Sequence, residues 1–211
     1  MGIYLNPGNE NFRRTLASPI YVDKTMMIYE MNRFIDQGNN YICVSRPRRF
    51  GKTIAQNMLA AYYSKGCDSK EMFVNLKIGS SDDFGKNLNS LNVIKIDLNS
   101  EYQNTNDKDN LIAILSDKIK SEMRDEYDDV EIKGQYSLAE SILEVFKRTG
   151  EHFVILIDEY DVLVREQVSE ELFKNYLSFL NGLFKSDTLR QAISLAYITG
   201  ILPVVRDRIQ S

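Results

Sequence analysis

Ser45-Arg46-Pro47-Arg48-Arg49-Phe50-Gly51-Lys52-Thr53 stands between the apolar run Tyr41-Ile42-Cys43-Val44 and the helix-like Ile54-Ala55-Gln56-Asn57-Met58-Leu59-Ala60-Ala61-Tyr62-Tyr63. A strand, a tight loop and a helix whose first turn carries Lys-Thr form the setting that a phosphate-binding loop requires. The first N–H groups of a helix lack intrahelical partners and their dipoles add, so a polyphosphate placed there gains hydrogen bonds and charge stabilisation together. Gly51 lets the backbone approach the phosphates with no Cβ in the way. Lys52 is expected to reach the β- and γ-phosphate oxygens, and the Thr53 hydroxyl to be one ligand of Mg²⁺.

The pattern G-x-x-x-x-G-K-[ST] places a glycine where this chain has Arg46. Pro47 fixes one φ angle and removes one backbone donor, while Arg46, Arg48 and Arg49 offer guanidinium forks in compensation. Arg46, Pro47, Arg48, Arg49, Phe50, Gly51, Lys52 and Thr53 are therefore the candidate nucleotide-binding set. The same letters also fit a basic surface loop ahead of an ordinary helix.

A second stretch, Phe153-Val154-Ile155-Leu156-Ile157-Asp158-Glu159-Tyr160-Asp161, reads as a strand buried on both faces that ends in an acidic pair. Ligands of open α/β sheets bind outside the carboxyl ends of their strands. Asp158 is expected to hold Mg²⁺ through a bound water, and Glu159 to act as general base on the attacking water. The bland alternative is a strand that exits into a polar loop; Gly-Lys-Thr upstream argues against it. Ala192 to Ile198 reads as another buried strand, and Thr199 at its end would lie near the γ-phosphate if that strand sits between the other two.

The 211 residues, 43% hydrophobic and 27% charged, suit one α/β domain. A net charge of −4 argues against a general polyanion binder, although a local basic patch remains at residues 46–52. Cys43 and Cys67 have no metal-ligand spacing and read as reduced thiols. The lone histidine, His152, reads as a loop residue, so neither a zinc site nor a histidine triad has its parts. No apolar run approaches the ~20 residues of a membrane span and no leader is visible, which predicts a cytoplasmic protein.

Elsewhere, Tyr21 to Lys24 reads as a short strand and Thr25 as the cap of a helix running to Gly38. Val93 to Leu98 alternates as a strand, and Tyr102 to Asp109 reads as a loop. Helices are expected over Leu111 to Met123, Leu138 to Phe146 with a stop at Gly150, and Leu172 to Leu183. The acidic run Asp125 to Glu131 reads as a solvated connection. Tyr21 and Tyr41 could stack on a base but fit core packing better.

Tyr21-Val22-Asp23-Lys24-Thr25, Arg46 to Thr53, Leu156 to Asp161 and Thr199-Gly200-Ile201-Leu202-Pro203 together resemble the bacterial AAA-ATPase-like family of P-loop proteins, through nearly the whole chain. In that family Arg commonly takes the place of the first loop glycine. The resemblance implies a P-loop NTPase fold, a mostly parallel sheet sandwiched between helices, with the Thr199 strand between the P-loop strand and the Asp158 strand. It implies ATP and Mg²⁺ as ligands, with Lys52, Thr53, Asp158 and Glu159 carried over by position.

Family members often continue into a C-terminal nuclease-like domain of the PD-(D/E)XK type. The chain is thus expected to be one P-loop domain of a longer protein, with residues 1–38 packing on its core. Three functions are open to such a chain. They are a slow Mg-dependent ATPase that drives or gates a partner or the nuclease-like domain, a nucleotide-dependent switch with little hydrolysis, and a nucleic-acid module using the arginine-rich loop. A homo-oligomer is open as well, and Arg206 and Arg208 are candidate catalytic arginines.

Overall fold

The computed structural model describes residues 2–202. Its centre is a sheet of β1 (Tyr41–Ser45), β2 (Asn92–Asp97), β3 (Phe153–Asp158) and β4 (Ile193–Gly200). The strands run parallel in the order β1-β4-β3-β2, so β4 lies between the P-loop strand and the acidic strand as the resemblance implied. Every residue of β3 is buried, which is why its sequence is continuously apolar from Phe153 to Ile157 rather than alternating.

Helices cover both faces. On one lie α1 (Glu10–Leu16), α2 (Met26–Asn32), α3 (Lys52–Tyr63) and α4 (Lys70–Phe73). On the other lie α5 (Leu98–Asn104), α6 (Leu111–Glu126), α7 (Leu138–Thr149), α8 (Val162–Arg165), α9 (Glu170–Phe184) and α10 (Asp187–Arg190). Val93, Val154, Leu156 and Leu195 point into the first layer with Phe12, Leu59, Tyr62 and Tyr63. Ile94, Ile155, Ile157 and Ile193 point into the second with Leu115, Ile142, Tyr176 and Leu183. Along β2 and β3 alternate residues thus feed opposite cores, as the two-residue period of a strand demands, while a register shift between β3 and β4 puts Ile193 and Leu195 in opposite cores.

The sheet's two edges differ. Along β2 the chain start supplies a cover: Asn6 N–H donates to Val93 O at 2.7 Å, and Lys95 N–H to Tyr4 O at 2.9 Å. The Glu122 carboxylate of α6 accepts from the N–H groups of Ile3, Tyr4 and Leu5 and so fixes that cover in place. At the other edge β1 pairs with β4 alone among the described strands, and its residues are only half-buried or exposed.

Several local expectations are corrected. Tyr21 to Lys24 forms no strand; the Asp23 carboxylate accepts from Thr25 N–H, Thr25 Oγ1 and Lys77 N–H, which holds the segment in irregular backbone ahead of α2. Burial by itself would raise the Asp23 carboxyl, but these hydrogen bonds outweigh it and hold it below its ordinary value. Thr25 precedes α2 without capping it, because its hydroxyl is engaged with Asp23 and with Ile78 N–H. That helix stops at Asn32 instead of Gly38: Asp36 takes a left-handed φ of 59° and bonds Ser194, turning the chain towards β1. The expected loop after Tyr102 is partly α5, which Asp97 caps by accepting from Ser100 N–H at 2.9 Å.

Candidate functional site

All four strands deliver their carboxyl ends to one side of the molecule, and the site is assembled there. From the end of β1 the loop turns through Arg49 (φ 68°) and Gly51 (φ 79°), both left-handed, into α3. A β-carbon at Gly51 would sit 3.3 Å from Lys24 Nζ as well as straining the backbone. Lys52 Nζ lies inside the arc and donates to the carbonyls of Arg46 at 2.9 Å and Pro47 at 3.0 Å. Arg46, Pro47, Arg48, Arg49 and Phe50 are exposed, and none of the loop's cations forms an ion pair among the described residues.

The acidic end of β3 is built in the opposite way. Asp158 is only 2% exposed. Its Oδ2 accepts from Thr53 Oγ1 at 2.6 Å, so residues 105 apart in sequence meet between the two motifs. Its Oδ1 accepts from Thr199 Oγ1 at 2.5 Å and from Glu159 N–H at 3.0 Å. Thr199 accepts in turn from Gln56 Nε2 at 2.9 Å, and both residues are fully buried. Thr199 therefore reaches the site, but its hydroxyl faces Asp158 rather than the open loop.

Glu159 adopts a left-handed φ of 52°. That conformation turns its carboxylate onto Arg165 Nη2, at 2.5 Å. The Arg165 guanidinium also lies 3.2 Å from Asp161 Oδ2. Asp161 is 1% exposed and accepts from Ile201 N–H and Leu202 N–H, which ties the chain after β4 to the turn after β3. Gly200 lets these turns close together, since a β-carbon there would lie 2.5 Å from the Tyr160 ring and 2.8 Å from Asp161 Oδ1.

Thr53 Oγ1 and Asp158 Oδ2 are adjacent hard oxygen donors, a fit for Mg²⁺ completed by water and phosphate oxygens. Among the described residues no cluster of three or more His, Cys, Asp or Glu side chains could hold a metal by itself. On the β2 side Lys95 donates to Asn57 Oδ1 of α3. Burial pushes the Lys95 amine below its ordinary value, against the opposing pull of Asp158 and Asp97.

Gln56, Arg165 and Lys95 carry no motif signal, and sequence reasoning assigned no role to them or to Asp161, the last residue of the acidic motif. An arginine four residues after Asp161, on a helical turn, is the one local hint that was available. Arg206 and Arg208 lie outside the described residues. Tyr41 packs edge-on against Phe184, with Arg190 over its ring, on the far core; Tyr21 packs edge-on against Phe12 beside the loop. Cys43 and Cys67 are free thiols, and no helix among the described residues is long and apolar enough to cross a membrane.

The family model described as AAA-ATPase-like, "Predicted AAA-ATPase", matches residues 8–210. No curated protein and no solved structure matches the chain.

Proposed function

Because this chain belongs to the AAA-ATPase-like family, we propose that it binds ATP on the loop of residues 46–53 and hydrolyses it slowly with Mg²⁺. The observation that carries the reading is the meeting of Thr53 and Asp158 at 2.6 Å, where the basic loop and the acidic strand end share one point. The N–H groups opening α3 take the β-phosphate, and Lys52 exchanges its loop carbonyls for β- and γ-oxygens. Thr53 and Asp158 would hold Mg²⁺, which would supply neutralisation of charge developing on the phosphoryl oxygens. Glu159 accepts the proton of the attacking water. Thr199 and Gln56 position Asp158 through their hydrogen bonds.

In this reading nucleotide turnover drives or gates a partner or a C-terminal nuclease-like domain. A second reading, a switch that binds ATP and barely hydrolyses it, is favoured by the Glu159–Arg165 pair, since a carboxylate held by a guanidinium is a poorer proton acceptor. Multiple-turnover phosphate release from Mg-ATP by the wild type and by Glu159→Gln decides between them. Release that falls in the variant while ATP binding persists supports the ATPase; equal release would remove Glu159 from the mechanism, and negligible release by the wild type leaves the switch.

A further inference from the structure

Lys95 on β2 is the only cation carried by the four strands, and no step of the turnover proposed above uses it. Val93 faces the α3 core while Ile94 and Ile96 face the other, so Lys95 and Asp97 lie on the α3 face of β2. By the same alternation Leu156 and Asp158 lie on the α3 face of β3. The register pairs Lys95 with Leu156 and Asp97 with Asp158. Two carboxylates thus stand side by side on neighbouring strands, which run about 4.8 Å apart.

Every hydrogen bond to these two carboxylates comes from a neutral donor. Asp97 accepts from Ser100 N–H and Ser100 Oγ, and Asp158 accepts from Thr53 Oγ1, Thr199 Oγ1 and Glu159 N–H. Neither forms an ion pair among the described residues. Lys95 is placed to balance both. Its Nζ donates to Asn57 Oδ1, and Asn57 follows Thr53 by four residues on α3. The ammonium is therefore anchored about one helical turn, roughly 5.4 Å, along α3 from the point where Thr53 meets Asp158. Both carboxylates favour its charge against the burial that opposes it.

We propose that Lys95 is the counter-ion of the Thr53–Asp158 site before Mg²⁺ arrives, and that it keeps the lone ion weakly bound until nucleotide phosphates enter with it. The inference rests on the metal reading of Thr53 and Asp158 and adds what governs ion entry there. Two adjacent carboxylates would attract a divalent cation by themselves. A fixed ammonium one turn away opposes its entry, because charges at that range in a half-buried place are poorly screened. Nucleotide phosphates restore the balance with their own negative charge, so ion and nucleotide are held together where the ion alone is not. Asn57 is the positioning residue, since its amide oxygen fixes where the ammonium stands.

The test is equilibrium titration with MgCl₂ alone, and with ATP in excess Mg²⁺ or in chelator. It is made on the wild type, Lys95→Met, Lys95→Gln, Lys95→Arg and Lys95→Met/Asp158→Asn. Removing the ammonium should tighten binding of the lone ion by at least about tenfold in both neutral variants. Lys95→Arg keeps the charge and should stay within about threefold of the wild type. Adding Asp158→Asn to Lys95→Met should cancel the gain. A lysine with a merely structural task cannot give a tightening, because lost packing weakens ligand sites. Lone-ion binding unchanged or weaker in both neutral variants, or as tight in Lys95→Arg as in Lys95→Met, would overturn the counter-ion. A gain that survives Asp158→Asn would put the ion elsewhere and overturn it too. Should both neutral variants fail to fold in chelator, refolding on addition of MgCl₂ supports the proposal and its absence overturns it. If the wild type binds no ATP, or binds it equally with Mg²⁺ and in chelator, the metal reading of Thr53 and Asp158 falls and this inference with it.

Discussion

The loop from Arg46 to Thr53 and the segment from Asp158 to Arg165 approach each other at Thr53 and Asp158, yet they are held by different means. The first exposes its cations, and Lys52 is fixed by no more than two backbone carbonyls. In the second, Asp158 takes three hydrogen bonds, while Glu159 and Asp161 share one guanidinium. Exposed cations cost little without a partner, because water solvates them; buried carboxylates must be paired where they stand. The basic half can therefore wait for an anion, while the acidic half has to be assembled by the fold. The comparison separates residues whose loss should affect ligand handling from residues whose loss should affect stability.

Substitutions on the two sides sharpen that separation. Glu159→Gln should lower phosphate release by about a hundredfold or more while nucleotide affinity stays within about twofold, measured by multiple-turnover assay and titration. Arg165→Ala leaves Asp161 buried without its cation and should cost about 3 kcal/mol, read as a fall of roughly 6–12 °C in the unfolding midpoint without nucleotide. Lys52→Ala should leave that midpoint almost unchanged. It should instead abolish the rise of roughly 5–10 °C, from about 2.7 kcal/mol, that Mg-ATP at a hundred times its dissociation constant gives the wild type.

Thr199→Val strands the buried Gln56 amide and removes one donor from Asp158, so it should cost about 2 kcal/mol in chemical denaturation. Ser137→Ala, in the capping box of α7 far from either segment, should cost about 1 kcal/mol and leave phosphate release unaltered. If Lys52→Ala destabilised the empty protein as much as Arg165→Ala, the division between a waiting half and an assembled half would fail.

Legibility in the sequence follows the same line. The loop could be read because its parts are adjacent: a strand, a left-handed Gly51 and a helix opening with Lys52 and Thr53 are all contiguous. The strand of Asp158 could be read because burial on both faces leaves a continuous apolar run. Gln56 could not be singled out, since it looks like any polar residue of a helix until β4 brings Thr199 within 2.9 Å. The short α8 and the left-handed turn at Glu159 are accompanied by the pairing of Arg165 with Glu159 and Asp161, of which the sequence hints only at the four-residue spacing of Asp161 and Arg165. Tyr21 to Lys24 misled in the same way. Its residues favour a strand, but Asp23 binds the nearby N–H of Thr25 and the N–H of Lys77, 54 residues on.

The sequence by itself determined the parallel α/β architecture, the strand–loop–helix of residues 41–63 and the acidic strand end, because each depends on periodicity or on neighbours a few residues apart. The tertiary structure alone decided that Asp158 is shared by Thr53 and Thr199, that Glu159 is held by Arg165, and that Lys24 and an apolar cleft flank Gly51. Except for the Glu159–Arg165 pair, six residues apart, those contacts join segments remote along the chain. Which distant polar groups meet is set by how two cores pack on the faces of one sheet, and no local pattern of residues encodes that packing.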